Sequence, residues 1–236
     1  MDVAMDRNSR AIGALAGLIG WAGLALQLAI IIGKLGPALG LWRFIGFFTI
    51  LANLGAAAVA TAIAFGSRRG LGGQRARLMA ATSIITVGIV YSVALRATWS
   101  PTGLQKVADG LLHDATPLLW LALWLAGSIR RLRWGEIAWA MLPPALYAIY
   151  ALMRGAIDGW YAYWFLNPAE QSIGGLLTAI AAMIVGIGVI AGVLIILNRW
   201  RTGSARPVEK PASDALVDEA GEGSFPASDP PGWTLG

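Results

Sequence analysis

Six apolar segments run through the chain, each close to the roughly 20 residues that a membrane-crossing helix needs. In lipid, backbone groups find no water to bond, so only helices or closed barrels cross a membrane. The segments show no alternation of apolar and polar residues, which excludes barrel strands. We therefore predict an all-α, polytopic membrane protein whose six-helix transmembrane domain covers residues 1–202. The helices are expected at about 11–32, 44–66, 78–97, 108–127, 136–153 and 173–198.

Composition supports this class. Only 13% of the residues are charged, against about 25% in soluble domains. The net charge of +5 therefore predicts basic cytoplasmic loops and no nucleic-acid partner. Segment 11–32 follows two arginines like a signal peptide, but its apolar run is too long and lacks an A-x-A cleavage site, so it is expected to be retained.

Basic residues also predict the orientation. Thirteen of the 18 Lys and Arg lie on one side of the predicted membrane, which by the positive-inside rule is the cytoplasmic side and carries both termini. These residues are Arg7, Arg10, Arg68, Arg69, Arg75, Arg77, Arg130, Arg131, Arg133, Arg199, Arg201, Arg206 and Lys210. The end of the chain, residues 203–236, is rich in Pro, Gly, Ser and acidic residues and is predicted to be a disordered cytoplasmic tail. Small residues around 52–60 and 186–192 predict close helix packing.

The only histidine, His113, lies at the edge of the fourth apolar segment. Ionisable groups at membrane depth are costly and often functional, although a histidine can also simply bond a neighbouring helix. Asp109 would share its helix face if the helix begins early enough. Pro117 lacks an N–H and would leave the His113 carbonyl free for another partner.

Polar residues gather near the predicted outer ends of the helices. Thr49 would lie about 10 Å below the surface at 1.5 Å per residue. Gly46 and Asn53 are expected on the same helix face as Thr49 because of their i, i+3, i+7 spacing. These positions predict a polar pocket that opens toward the outer side. Its other candidate residues are Gln27, Tyr91, Arg96, Tyr147, Tyr150, Arg154, Trp160 and Tyr161.

Several chemistries are excluded by the sequence. The chain has no cysteine, which removes disulfides, thiolate nucleophiles and zinc ribbons, and one histidine cannot supply both ligands of a bis-histidine haem. It has no G-x-S-x-G, P-loop or H-E-x-x-H motif. No acidic residue is expected at mid-membrane, which argues against an ion-coupled carrier. We predict no metal site and no cofactor.

Three motifs carry a resemblance to a known family. WRFIGFFTILAN (42–53), LLHDATP (111–117) and GWYAYWFLNP (159–168) resemble the signatures of the bacterial six-helix membrane proteins related to the androgen-induced and androgen-dependent membrane hydrolases of animals. The resemblance covers residues 11–200. It implies a bacterial inner-membrane location and hydrolysis of fatty acid esters of hydroxy fatty acids by an embedded threonine with a histidine partner.

On this resemblance the histidine corresponds to His113. The family's threonine position is occupied by Gly46, and Thr49 follows three residues later. The resulting hypothesis is a lipid-ester hydrolase in which His113 activates Thr49, Asp109 or another acceptor orients the imidazole, and a donor such as Asn53 or Tyr150 stabilises the oxyanion. The alternative is a non-catalytic lipid-binding or accessory membrane protein with the same pocket. The expected partners are the bilayer and a lipid or fatty-acyl ester, and the sequence leaves the oligomeric state open.

Overall fold

The computed structural model describes residues 7–127 and 130–203, and every regular element within these ranges is helical. The predicted tail lies outside the described residues apart from Gly203. The main helices are α1 (Arg7–Leu35), α2 (Pro37–Phe44), α3 (Phe48–Ala64), α4 (Gln74–Val90), α5 (Gly103–Gly110), α6 (Thr116–Ala126), α7 (Ile137–Asp158) and α8 (Ile173–Gly203).

Within the described ranges, four helical stretches are long and apolar enough to cross a membrane, and the bent pair α2–α3 makes a fifth candidate. The four are Arg7–Leu35, Gln74–Thr98, Trp134–Asp158 and Ile173–Gly203. The prediction of an all-α, multi-pass membrane protein is confirmed. The stretch 103–126 is helical throughout but is not among these candidates, and it carries Asp109, His113 and Asp114 between its apolar residues.

The predicted continuous helix over 44–66 is wrong. α2 ends at Phe44, α3 begins at Phe48, and the two axes bend by 79°. Phe47, between them, has extended backbone angles (φ −94°, ψ 134°). The length of an apolar run does not show where a helix bends. A bend arises where other groups replace the lost backbone hydrogen bonds, and those groups belong to other parts of the chain.

Those replacement bonds come from one face of α7. The Tyr147 hydroxyl donates to the Gly46 carbonyl at 2.9 Å, and the Tyr150 hydroxyl donates to the Ile45 carbonyl at 3.2 Å. The Arg154 guanidinium donates to the carbonyl of Trp42. Residues 147, 150 and 154 are spaced i, i+3, i+7 and therefore lie on the same side of α7. The carbonyls that α2 and the break leave without helical partners are thereby satisfied.

Two π-helical turns face each other near the break. Leu111–Ala115 joins α5 to α6, and Tyr91–Leu95 continues α4. Each turn widens its helix by one residue, a feature that occurs often at functional sites. Pro117 follows the first turn and packs against Gly88 of α4, where an added Cβ would lie 2.9 Å from the proline ring. This close approach brings α4 beside His113.

Small residues let α1 and α3 pack closely. Ala56, Ala57 and Ala60 are fully buried, and a Cβ added at Gly13 would lie 2.9 Å from the Ile63 side chain. The predicted packing at 52–60 is therefore present. At 186–192 the small residue Ala191 is fully buried, whereas a Cβ added at any of the three glycines would meet nothing within 4 Å.

Arginine side chains close one end of the protein, which we call the arginine end (residues 64–77, 124–127, 130–134 and 198–203). Arg10 Nε donates to the Ala64 carbonyl at 3.1 Å, and Arg77 Nε donates to the Gly72 carbonyl at 2.8 Å. Arg201 donates to the carbonyls of Trp124 and Gly127 at 2.8 and 3.2 Å. Carbonyls near helix C-termini, which lack helical donors, are satisfied in this way.

Candidate active site

A cavity of about 480 Å³ lies at the opposite end, which we call the site end (residues 27–54, 91–115 and 158–166). Helices α1 and α3, the two π turns and the loop after α7 surround it. Most of its lining is apolar, but several polar side chains converge on it. We call it the polar cavity. Its polar side chains are Gln27, Lys34, Thr49, Tyr91, Thr98, Gln105, Asp109, His113 and Tyr163.

Thr49 and His113 meet in this cavity. Thr49 lies in the first turn of α3, just after the break, and His113 lies in the π turn between α5 and α6. The Thr49 Oγ1 and His113 Nε2 atoms are 3.4 Å apart. Hydrogen bonds between a nucleophile and its base are often long in the absence of substrate, so this distance suits a nucleophile–base pair.

Asp109 holds the other ring nitrogen of His113. The His113 Nδ1 atom lies 3.2 Å from the Asp109 carboxylate and 3.2 Å from the Asp109 backbone carbonyl. Both of these groups are acceptors, so Nδ1 carries the proton and Nε2 presents a lone pair to Thr49. The early start of the helix at Gly103 puts Asp109 on the same face as His113.

Tyr91 fixes the pair from the second π turn. Its hydroxyl donates to the second oxygen of the Asp109 carboxylate. Its ring stacks on the imidazole of His113, with a centroid distance of 4.0 Å and an interplanar angle of 17°. The Asp109 carboxylate is thus bonded on both oxygens and only 8% of the residue is exposed. The imidazole has one orientation as a result.

Asn53 binds the protein backbone. It is fully buried, and its Nδ2 group donates to the Thr49 carbonyl at 2.8 Å and to the Leu112 carbonyl at 3.3 Å. Both amide hydrogens are therefore used, which contradicts the predicted role of Asn53 as an oxyanion donor. The residue instead ties α3 to the π turn that carries His113.

The start of α3 offers better donors. Phe48 and Thr49 occupy the first two positions of α3, where backbone N–H groups have no helical acceptor. The phenol of Tyr163 lies beside these N–H groups and beside the Thr49 side chain. Burial raises the pKa of the Tyr163 phenol, and these donors act in the opposite direction. The Tyr163 phenol therefore marks a position beside the Thr49 hydroxyl that lies close to two backbone donors.

Gly46 lies apart from the cavity. A Cβ added there would come within 2.6 Å of the Arg154 guanidinium and of the Trp160 ring. The predicted shared face of Gly46 with Thr49 and Asn53 is wrong, because the helix breaks between positions 46 and 49. Thr49 and Asn53 remain one turn apart in α3.

Four of the predicted pocket residues, Tyr150, Arg154, Trp160 and Tyr161, instead form a cluster that supports the break. Only 3% of Arg154 is exposed, and its guanidinium lies 4.0 Å from the Trp42 ring and 5.3 Å from the Trp160 ring. Its Nε atom lies 3.8 Å from the Asp158 carboxylate. Tyr161 packs on Gly155 of α7. Tyr150, Arg154, Trp160 and Tyr161 are absent from the lining of the polar cavity within the described ranges.

Sequence reasoning did not single out Tyr163 or the free N–H groups of α3. Tyr163 belongs to the aromatic run 160–165, which predicts an interface without showing which ring turns inward. The N–H groups become free only because the helix breaks, and that break has no local signal beyond Gly46.

Within the described ranges, no group of three or more His, Cys, Asp or Glu could hold a metal ion. Comparisons with models of protein families, with curated proteins and with solved structures found no significant match to this chain. The resemblance in the three motifs therefore stays a prediction, and the chemistry of the site is inferred from its geometry.

Proposed function

We propose that this chain is a membrane-embedded hydrolase of acyl esters, with Thr49 as nucleophile, His113 as general base and Asp109 as the group that orients the imidazole. One observation carries the proposal: Thr49 Oγ1, the two ring nitrogens of His113 and the Asp109 carboxylate form a continuous chain of contacts at 3.4 and 3.2 Å. A nucleophile, a base and an orienting acceptor in this order form a catalytic triad.

In the first half-reaction, the Thr49 oxygen attacks the ester carbonyl while His113 Nε2 accepts the hydroxyl proton. The tetrahedral intermediate then collapses, the bond to the alcohol oxygen breaks, and His113 returns the proton to the leaving alcohol. The acyl group stays on Thr49 as an ester. Asp109 stabilises the imidazolium that forms between these two proton transfers.

The negative charge of the intermediate needs donors close to Thr49. The backbone N–H groups of Phe48 and Thr49, which lie beside the Tyr163 hydroxyl, serve as these donors. Removing one such donor typically costs about 3 kcal/mol of transition-state stabilisation. The nucleophile at the start of a helix also benefits from the positive end of the helix dipole.

In the second half-reaction, water attacks the acyl-Thr49 carbonyl. His113 accepts a proton from this water, the bond to Thr49 Oγ1 breaks, and Thr49 regains its proton from the imidazolium. The products are a carboxylic acid and an alcohol. The substrate is an amphiphilic lipid ester, since the polar cavity lies at the end of membrane-crossing helices.

The proposal includes six crossings of a bacterial inner membrane, with both termini in the cytoplasm. α2–α3 and the stretch 103–126 then count as spans beside the four long helices. An alkaline phosphatase fused after Arg201 is expected to be inactive, and the same reporter inserted after Asn167 is expected to be active. The opposite pattern would refute this orientation.

Trapping the acyl-enzyme tests the chemistry. Purified protein is mixed with a p-nitrophenyl acyl ester, quenched in acid and digested, and the peptide that contains Thr49 is expected to gain the mass of the acyl group. Thr98→Ala is the matched control, because Thr98 lines the same cavity and its hydroxyl donates to the Leu95 carbonyl, away from His113.

Thr98→Ala should retain the adduct, and Thr49→Ala should lose it. An adduct on another residue would identify that residue as the nucleophile. Ester turnover that needs His113 but yields no adduct would indicate water as the nucleophile. Without adduct or turnover, the chain would be a lipid-binding protein.

A further inference from the structure

A second cavity of about 420 Å³ lies on the other side of Thr49, among α3, α4, α7 and α8. We call it the apolar cavity. Its wall toward the polar cavity is shared, because residues of the first turn of α3, of the second π turn and of the loop after α7 line both cavities. These shared residues are Thr49, Tyr91, Leu95 and Tyr163.

The lining of the apolar cavity offers almost no free hydrogen-bonding group. The Thr86 hydroxyl donates to the Thr82 carbonyl at 2.7 Å, which leaves its methyl group to the cavity. The Tyr147 hydroxyl donates to the Gly46 carbonyl. The rest of the lining is mostly aliphatic and aromatic, with Val87, Met183 and Ile187 as examples. An occupant must therefore be apolar, since a polar group there would lose its bonds to water.

The apolar cavity opens toward the lipid-facing surface between α4 and α8. Ile89 and Val189 line it and are 46% and 59% exposed. Gly186 of α8 also lines it, and a Cβ added at Gly186 would meet nothing within 4 Å. Apolar side chains exposed on a spanning helix lie against lipid tails. The opening therefore connects the hydrocarbon of the membrane with Thr49.

We infer that the apolar cavity binds the acyl chain of the ester, which enters sideways from the membrane, while the alcohol part lies in the polar cavity. The ester link then crosses the shared wall at Thr49. The position of the ester at Thr49 rests on the proposed hydrolase function. Binding of the acyl chain in the apolar cavity does not depend on turnover.

The contrast between the two linings decides which part of the substrate goes where. The polar cavity contains Asp109, Lys34 and the amide side chains of Gln27 and Gln105, which suit a polar alcohol part. An alkyl chain there would separate these groups from water without bonding them. In the apolar cavity, each buried methylene is expected to raise affinity about fourfold.

Photo-crosslinking of a fatty acid tests this assignment. The probe is palmitic acid with a diazirine near the chain end and an alkyne handle, added to Thr49→Ala protein in lipid nanodiscs. Its crosslinks, located by mass spectrometry, are expected on residues that line the apolar cavity, such as Met183 and Ile187. The use of Thr49→Ala separates binding from catalysis.

Gly186→Trp and Gly188→Trp form a matched pair on one helix. At both positions an added side chain meets nothing nearby, but only Gly186 lines the apolar cavity within the described residues. Gly186→Trp should fill the cavity and reduce crosslinking by about tenfold or more. Gly188→Trp should leave crosslinking within about twofold, since it adds the same ring outside the cavity.

Two outcomes would overturn the assignment. Crosslinks confined to the polar cavity, for instance at Ile31, would place the chain there. Equal labelling in the two tryptophan variants would show that the probe reports only lipids around the helices. If the cavity is labelled as expected but wild-type protein never forms an acyl-Thr49, the binding site stands and the proposed hydrolase fails.

Discussion

The two ends of the protein use polar residues in opposite ways. At the arginine end, Arg77 and Arg201 donate to carbonyls that helix ends leave without donors, and the side chains close the space between helices. At the site end, α7 donates to the break at 45–47, and the polar groups surround a cavity. Side-chain donors therefore bind backbone carbonyls at both ends, but at the site end a cavity remains between the helices.

α8 shows the same contrast along a single helix. Near the arginine end, Ala191, Leu194 and Ile195 are buried, and the Trp124 indole donates to the Leu194 carbonyl at 3.1 Å. Toward the site end, Ile173 and Leu177 are exposed, and the apolar cavity separates the helix from α4. α8 is therefore packed more closely near the arginine end than toward the site end.

The largest expected effect separates activity from stability. His113→Ala should lower kcat/KM for an acyl ester by about three or more orders of magnitude, and Thr49→Ala should lose nearly as much, because the residues of such a unit act together. The melting temperature should change little, since a polar truncation in a membrane helix costs about 1–2 kcal/mol. Thr49→Ser is the control and should keep measurable turnover. Equal activity of wild type and His113→Ala would refute the catalytic role.

Gly46→Thr should disturb the site end itself. Any side chain at this position collides with Arg154 and Trp160, which support the break. We expect a loss of about 3 kcal/mol in unfolding free energy, with reduced activity, because overpacking forces neighbours out of position. Thermal unfolding and ester turnover measure both effects. Gly55→Thr is the control, since a Cβ at Gly55 meets nothing within 4 Å. A gain in activity for Gly46→Thr would contradict the observed role of the break.

Arg77→Met should weaken the arginine end and leave catalysis intact. The substitution removes the donors to the Gly72 and Ser67 carbonyls, and only 7% of Arg77 is exposed. We expect a loss of about 2 kcal/mol in unfolding free energy, because buried acceptors lose their partners. Arg68→Met, at an exposed neighbouring arginine, should change stability much less. A fall in kcat without a fall in melting temperature would show that the two ends are coupled.

Gln105→Met should have the smallest effect. Gln105 donates to Gln27 across the polar cavity at 2.7 Å. A single side-chain bond between membrane helices contributes about 0.6 kcal/mol, so a shift of this size is expected in thermal unfolding. The kcat should stay within about threefold, because neither side chain belongs to the Thr49–His113–Asp109 unit, whereas KM should rise as the alcohol part loses the Gln105 amide. A much larger fall in kcat would show that this bond also positions the catalytic residues.

Sequence alone determined the helical class, the multi-pass character and the helix-bearing segments, because hydrophobic length is a local property of the chain. It also paired Asp109 with His113, since residues four apart lie on one helical face. The pairing of Thr49 with His113 came from the resemblance in the three motifs, and the structure brings the two side chains to 3.4 Å.

Only the tertiary structure decided how α3 begins. The bonds that support the break join residues 101 and 105 positions apart, and no local pattern records such distant donors. With that break, Gly46 turns toward Arg154, the amides of Phe48 and Thr49 become free, and Asn53 binds backbone carbonyls. The pattern of apolar residues shows which segments form buried helices. The donors that replace broken backbone hydrogen bonds come from a neighbouring helix that is distant in the sequence, and only the tertiary structure shows which helix that is.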